Sequence, residues 1–523
     1  MYAQKLSFDY AHTLHTVRIV HNAHIVHRSQ VQNGQSCDCI NFVRATDPAC
    51  GSGNFLTKTY ISLRRLENKI IDQLTRGQIV FGEMASLVKV SIHQFYGIEI
   101  NDFACVVART AMWIAELQMM QETQSIVEMN LDFLPLKTYV NIVEGNALRL
   151  DWHAVLPASE CSYLMGNPPF VGARLMKAGS EQKADVATIF AGWKNAGNLD
   201  YVCCWYKKAS EYMHNTKVKA ALVSTNSVSQ GESVATLWKP LFEAGIKINF
   251  AYRTFVWNSE SNNKAHVHCV IIGFSYLGND KESDNMPIIY TGEQAERVSH
   301  INAYLVEADD VFVESRNKPL CDVPQIGMGN QPIDDGNYLF TDEEKEKFIR
   351  EEPQSKKYFK EWYAAYEFIH RKPRYCLWLG DCSPSELNNM PQCKSLIENV
   401  RQFRIKSSRK STNKMSDYPT RFQTENMPQS NSILVPKTSS QNRKYIPLGV
   451  VTQNELCSDA VFLIPNGTMY HFGVLESNVH MAWMRVVAGR LKSDYCYSKD
   501  IVYNYFPWCT PTDAQRAKIE KTA

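Results

Sequence analysis

Four short apolar runs in the first third of the chain, at 42–46, 94–98, 139–143 and 162–165, each end in a polar or glycine-bearing turn. The first two pass straight into segments with helical apolar spacing. Such alternation specifies a parallel sheet with crossover helices. Parallel strands in an open α/β sheet all end on one edge, where the ligand binds. Asp47, Glu99, Asn146 and Asn167 follow the four runs in that order, so they are expected to line one crevice.

Each strand end suggests its own chemistry. The first run leads into Asp47-Pro48-Ala49-Cys50-Gly51-Ser52-Gly53-Asn54 and a helix expected over 55–74. Gly51 and Gly53 let the backbone pass close to a bound molecule. The third glycine of a dinucleotide fingerprint and the Gly-Lys-Ser/Thr of a phosphate loop are both missing. An acid, Asp47, stands in place of a phosphate cradle, which points to a ligand carrying an ammonium. Glu99 sits where such folds grip ribose hydroxyls, and Asn146 is placed to bond an adenine edge. Asn101 opens a second helix, with Val106, Val107, Thr110, Ile114 and Leu117 expected on its apolar side.

The fourth run delivers Asn167-Pro168-Pro169-Phe170. Two prolines fix φ and remove two backbone donors, so the local carbonyls face outward as acceptors. The Asn167 side-chain oxygen and the Pro168 carbonyl can accept both hydrogens of one NH2, while Phe170 offers a ring face for stacking. The target that suits this geometry is an amide or a nucleobase amine.

Beyond the tetrapeptide, a helix is expected from about 198 to 213, a strand at 220–224 and a helix at 233–244. Strands at 246–252 and 268–274, joined through the polar stretch 257–266, would complete a seven-stranded sheet. After about residue 280 the alternation stops and Pro, Asn and Ser become more frequent, which marks a domain boundary. A chain of 523 residues has room for this division into two or three domains. The spans expected are an unpatterned 1–40, a catalytic domain over 41–285, a second, α+β domain over 286–510, and a tail from 511 to 523.

Charge and sulfur narrow the partners. A net charge of +2 does not by itself argue for a polyanion, but the basic residues cluster. Between 401 and 444 lie Arg401, Arg404, Lys406, Arg409, Lys410, Lys414, Arg421, Lys437, Arg443 and Lys444, against only Asp417 and Glu425. Mixed with Asn, Gln and aromatics, these residues suit phosphate anchoring and base-edge reading. Fifteen irregularly spaced cysteines match no zinc template and read as reduced thiols. Histidines 12, 15, 21, 24 and 27 lack a carboxylate or cysteine to complete a site, so no metal is expected. No signal peptide is expected from residues 1–20, and no uninterrupted apolar run is long enough to cross a bilayer.

On the glycine loop Asp47 to Gly53, the acid Glu99 and the tetrapeptide Asn167 to Phe170, the sequence resembles the class I S-adenosylmethionine-dependent DNA methyltransferases that modify exocyclic amines. Asn-Pro-Pro-Phe is typical of the adenine-N6 enzymes. The resemblance narrows to the MmeI-like (type IIL) restriction-modification family on Gly329-Asn330-Gln331-Pro332 with Asp335-Gly336, Arg374 to Leu379, Tyr445 to Gly449, the stretch from Phe472 to Ser493, and Ile501 to Asn504 with Phe506-Pro507-Trp508. It covers roughly residues 44 to 508.

The resemblance implies a Rossmann-like seven-stranded methyltransferase domain followed by a target-recognition domain. It further implies S-adenosylmethionine as cofactor, double-stranded DNA as partner and methylation of adenine N6 within a restriction-modification system. Asn167, Pro168, Pro169 and Phe170 would be catalytic. Asp47, Pro48, Ala49, Gly51, Gly53, Asn54, Glu99, Ile100, Asn146 and Ala147 would hold the cofactor. Arg401, Arg404, Lys406, Arg409, Lys410, Lys414, Arg421, Arg443 and Lys444 would face DNA.

The family's N-terminal nuclease, and the helical segment that closes over the methionine end, are not identifiable before Asp47. Cleavage is therefore not expected, cofactor affinity is open, and a separately encoded nuclease is a candidate partner. The expected location is the cytoplasm of a bacterium or archaeon. Protein glutamine N5-methylation and a non-catalytic DNA-binding remnant remain alternative readings.

Overall fold

The computed structural model describes residues 42–75, 88–127, 141–258, 266–278 and 286–523. The histidine cluster, the unpatterned 1–40 and most of the stretch 257–266 lie outside these. In the first unit, which runs to Phe312 apart from residues 230–232, a nine-stranded sheet has the order β3-β2-β1-β4-β5-β7-β6-β8-β9. The strands are β1 (Ala45–Asp47), β2 (Phe95–Glu99), β3 (Asn141–Glu144), β4 (Tyr163–Gly166), β5 (Lys219–Thr225), β6 (Ile246–Asn258), β7 (His266–Tyr276), β8 (Ile288–Thr291) and β9 (Gln294–Arg297). β1 to β5 are mutually parallel, and β7 runs antiparallel between β5 and β6.

The seven expected strands are therefore present, each within a few residues of its expected position. The sheet continues, however, into a further pair: β8 pairs with β6 and β9 with β8. The first unit therefore runs past the boundary expected at 285, to Phe312, because Ile288–Thr291 and Gln294–Arg297 extend its sheet. Ile289 and Tyr290 are buried there, and Tyr290 stacks on Tyr252 with ring centroids 4.3 Å apart. The second strand of a tight hairpin gives no helical period, and only its partners reveal it.

Helices α1 (Asn54–Thr75), α2 (Asp102–Val127), α3 (Glu181–Ile189), α4 (Cys203–Met213) and α5 (Glu232–Glu243) flank the strands. The expected apolar side of α2 is corrected. Val106, Ile114 and Leu117 are exposed, and the buried stripe is Cys105, Ala108, Met112, Ala115 and Met119. The reason is distance: a Cβ on Gly53 would lie 3.0 Å from the Ala108 Cβ. Small residues, rather than the most apolar ones, let α2 approach the glycine loop that closely. By length and composition α2 could cross a membrane, yet its buried stripe belongs to the core that includes Leu56, Tyr60 and Phe95.

The second unit, Val313 onward with residues 230–232, contains two four-stranded sheets and one three-stranded sheet. An aromatic core of Tyr338, Phe348, Tyr358, Trp362, Trp378 and Phe422 packs under helix α6 (Pro391–Ile405). The expected C-terminal tail contains a capped helix, Asp513–Thr522, whose Thr512 and Gln515 form a reciprocal capping box. Trp483, half-buried on helix Asn478–Val487, donates its indole N–H to the Val502 carbonyl (3.0 Å).

Arg404 sits at the end of α6 and is fully buried. Its guanidinium donates to the carbonyls of Pro332, Ile333, Met415, Tyr418 and Arg421 at 2.7–3.0 Å. Those five bonds tie the 332–333 turn to both sides of the basic stretch. Arg404→Leu should lower the unfolding free energy of this unit by about 3–5 kcal/mol in urea denaturation, because it strands buried carbonyls. Arg404→Lys should recover only part of the loss, since an ammonium offers three donors against five.

Candidate functional site

The strand ends do converge. A cleft of about 580 Å³ at the carboxyl edge of β1 to β4 is lined by Pro48, Ala49, Gly51, Glu99, Ile100, Asn146, Ala147, Asn167 and Pro169 among the expected residues. Its size is that of a nucleoside-scale ligand site. Asp47, Gly53, Asn54, Pro168 and Phe170 do not line it, and their parts in the site are indirect or lie beside it.

Asp47 is fully buried behind the glycine loop. One carboxylate oxygen accepts the Ala49 N–H (3.0 Å), and the other has no hydrogen-bond partner among the described residues. Burial is the main cause that pushes its pKa up to about 7; the Ala49 N–H opposes the rise and nearby Glu99 adds to it. Gly166 explains how the acid fits, since a Cβ there would lie 2.6 Å from the Asp47 Oδ1. The end of β4 is thus shaped to admit the acid of β1.

Glu99 bridges two elements. Its Oε2 accepts the Gly51 N–H (2.9 Å) and its Oε1 accepts the Asn101 N–H (3.0 Å). Each oxygen keeps a second lone pair for a hydroxyl. Ile100, beside it, is 65% exposed and presents an apolar wall to the cleft. Gly51 has φ +52°, and Gly53 has φ +81° together with the close Ala108 contact. At Gly53 both the backbone conformation and the space exclude a side chain.

The Asn146 amide is already engaged. Its oxygen accepts the Leu148 N–H (2.9 Å) and its NH2 donates to Asp185 Oδ2 (3.2 Å). Asp185 also receives the Tyr201 hydroxyl (2.8 Å) and the Arg149 Nε (2.9 Å). Burial works against its charge, but these three donors prevail and hold its pKa below the usual carboxylate range. Asn167 is different: its side-chain oxygen is buried and has no partner among the described residues. Phe170 is half-buried against Phe55, Val223, Tyr252, Cys269 and Ile271.

The sequence reading missed the cleft wall that begins at Asp200. The Asp200 carboxylate, 7% exposed, accepts the N–H groups of Val171 (3.1 Å) and Val202 (3.2 Å) and the Thr225 hydroxyl (3.0 Å). Trp205 donates its indole N–H to the Pro48 carbonyl (3.1 Å), and Lys208 reaches the Ala147 carbonyl (2.7 Å). Tyr201, Trp205, Asp185 and the first turn of α3 complete the lining. The polar pair Asp200-Tyr201 ahead of an apolar helix was the available signal, but it reads equally well as an ordinary helix start.

The basic segment divides. Arg404 is removed from the DNA-facing set, because its guanidinium is enclosed and saturated by backbone carbonyls. Arg421 pairs with Glu425 (2.6 Å) and lies over the Trp378 ring. Arg401 stands 3.7 Å from Glu398. Lys406, Arg409, Lys410, Lys414, Arg443 and Lys444 are exposed. Among the described residues, no cluster of His, Cys, Asp or Glu could hold a metal.

A family model described as the MmeI DNA-methyltransferase domain matches residues 28–290, and one described as the MmeI target recognition domain matches 307–510. The chain is 40% identical over 485 residues to DNA methyltransferase A of Bacillus subtilis (strain 168), covering 92% of this chain and 54% of that protein. It thus spans about half the length of this curated relative. The solved structure of the type IIL restriction-modification enzyme MmeI in complex with DNA is similar at a TM-score of 0.88 and 40% identity, over 98% of this chain and 69% of that one. With its first half inside the methyltransferase model and nearly all the rest inside the recognition model, the chain belongs to the MmeI family.

Proposed function

We propose that the protein is a site-specific DNA methyltransferase that transfers a methyl group from S-adenosylmethionine to adenine N6 in double-stranded DNA. The observation that carries this reading is the unpaired, buried Asn167 oxygen at the rim of a nucleoside-sized cleft. A buried acceptor left without a partner costs about 1–3 kcal/mol, so an incoming amine donor fits it. The target recognition domain favours DNA over a protein glutamine as the source of that amine.

The cleft fits the cofactor. Lining the cleft, Glu99 suits the ribose hydroxyls and Ile100 one face of the adenine, while the unpartnered Asp47 oxygen, enclosed just behind the glycine loop, offers a carboxylate to the ammonium. Pro48, Ala49, Gly51, Gly53, Asn54 and Ala147 shape the backbone around it, and Asn146 is held by Asp185 to face the adenine edge. When bound, S-adenosylmethionine supplies an electrophilic methyl on a sulfonium.

The protein's task is then positional. The lone pair of adenine N6 is delocalised into the ring, which makes the nitrogen a weak nucleophile. Asn167 and the Pro168 carbonyl accept its two hydrogens and favour a pyramidal nitrogen whose lone pair is free to attack. N6 would take the methyl that the sulfonium supplies and would release one proton to water, while Asn167 and the Pro168 carbonyl hold the amine in place. Pro169 stiffens the turn, and the exposed part of Phe170 receives the base after it leaves the duplex. Arg401, Lys406, Arg409, Lys410, Lys414, Arg421, Arg443 and Lys444 supply the phosphate-facing charge. The reaction belongs in the cytoplasm of a bacterial or archaeal cell, alongside any separately encoded nuclease.

Asn167→Ala should reduce methyl transfer into duplex DNA at least about 100-fold and leave cofactor affinity within about threefold, as read by tritium incorporation and calorimetry. Equal loss of both would contradict the assigned roles.

A second expectation concerns pH. The Asp47 carboxyl, with its pKa near 7 in the free protein, is protonated below that pH and charged above it. An ammonium ligand needs the charged form, so affinity should fall up to about tenfold per pH unit below 7 and level off above it. Calorimetry of cofactor binding across pH 5.5–8.5 in buffers of different ionisation enthalpy should record proton release on the acid side. Asp47→Asn should flatten that dependence.

A further inference from the structure

The catalytic tetrapeptide is followed by a loop, 171–180, that contains Arg174 and Lys177 and no acid. Both ends of the loop are tied to elements that build the cleft. At one end Asp200 accepts the Val171 N–H (3.1 Å) and the Val171 carbonyl accepts the Tyr201 N–H (3.0 Å). At the other, Ser180 caps α3 and lines the cleft. Between them the loop is held by its own turns, Leu175 N–H to the Gly172 carbonyl (2.8 Å) and Ser180 N–H to the Lys177 carbonyl (3.1 Å). Met176 is buried within it at 5% exposed.

A loop fixed this way nonetheless presents Leu175 to solvent at 76% exposure, between two exposed cations. Neither Arg174 nor Lys177 has an ion pair or side-chain hydrogen bond among the described residues. A single exposed leucine is ordinary on a protein surface. What is unusual is its setting: on a pinned loop, flanked by unpaired cations, and starting one residue after the amine-binding tetrapeptide.

We infer that this loop is a DNA-contacting wedge: Leu175 enters the base stack at the step vacated by the extruded adenine, while Arg174 and Lys177 hold the adjoining phosphates. The chemistry fits, because proteins that unstack a duplex insert apolar side chains between bases and anchor the flanking backbone with cations. Anchoring by Asp200 matters here, since it fixes the wedge relative to Asn167. The inference rests on the base-extruding reaction proposed above.

Sequencing host DNA with modified-base detection first gives the methylated site. Single-turnover methylation is then compared on a duplex with the target adenine paired and on one with it opposite an abasic position. Leu175→Ala should slow the paired substrate at least about tenfold and the abasic one by less than about threefold, because the second duplex needs little help to release its base. Arg174→Ala with Lys177→Ala should flatten the salt dependence of DNA binding by about two units of slope. Cofactor affinity and melting temperature should be unchanged in both. Equal slowing on the two duplexes, or no slowing on either, overturns the wedge while leaving methylation intact. A wild-type protein that leaves DNA unmodified overturns the proposed function and the wedge with it.

Discussion

The Asp200 carboxylate is almost fully withdrawn from water, and burial raises its pKa. Removing such a group from solvent is unfavourable by several kcal/mol unless its lone pairs are met. Here two backbone N–H groups and the Thr225 hydroxyl meet them, and each donor lies on a different part of the site. The stretch after Phe170, the start of α4 and the end of β5 are thereby joined at one atom group. Trp205, one turn further along, extends the join to the glycine loop through Pro48. The acid therefore acts as a structural pin: the catalytic turn, which proline stiffens locally, is also fixed relative to its neighbours.

Around that pin the sheet edge is fitted by subtraction of side chains as much as by addition. Gly166 makes room for Asp47, and Gly53 makes room for α2. A buried acid with one oxygen unpaired and a buried amide oxygen without a partner are costly in a folded chain. Their presence at the same edge, beside Glu99 with lone pairs in reserve, is the pattern expected where a polar ligand completes the bonding.

The second unit shows how residue type can mislead. In the sequence Arg404 is one of ten basic residues in a run, with nothing to set it apart from Arg401 or Arg409. In the fold it faces inward and bonds five carbonyls, while its neighbours on the same stretch remain in solvent. A guanidinium with five directed donors can organise an irregular backbone segment that has no regular ladder of its own. The same charge that suggests a phosphate contact here keeps the surrounding loop in place.

The sequence alone determined the parallel alternation and the glycine loop, and it placed Asp47, Glu99, Asn146 and Asn167 at successive strand ends, because periodicity and turn chemistry are local properties of the chain. It also carried the family resemblance in motifs too specific to arise from composition. Three things only the tertiary structure decided: which face of α2 is buried, that β8 and β9 extend the sheet past residue 285, and that Arg404 is internal while Asp200 pins the catalytic turn. Each depends on the distance between segments far apart in the chain, such as the approach of Ala108 to Gly53 or of Val171 to Asp200, and no local pattern encodes such a distance.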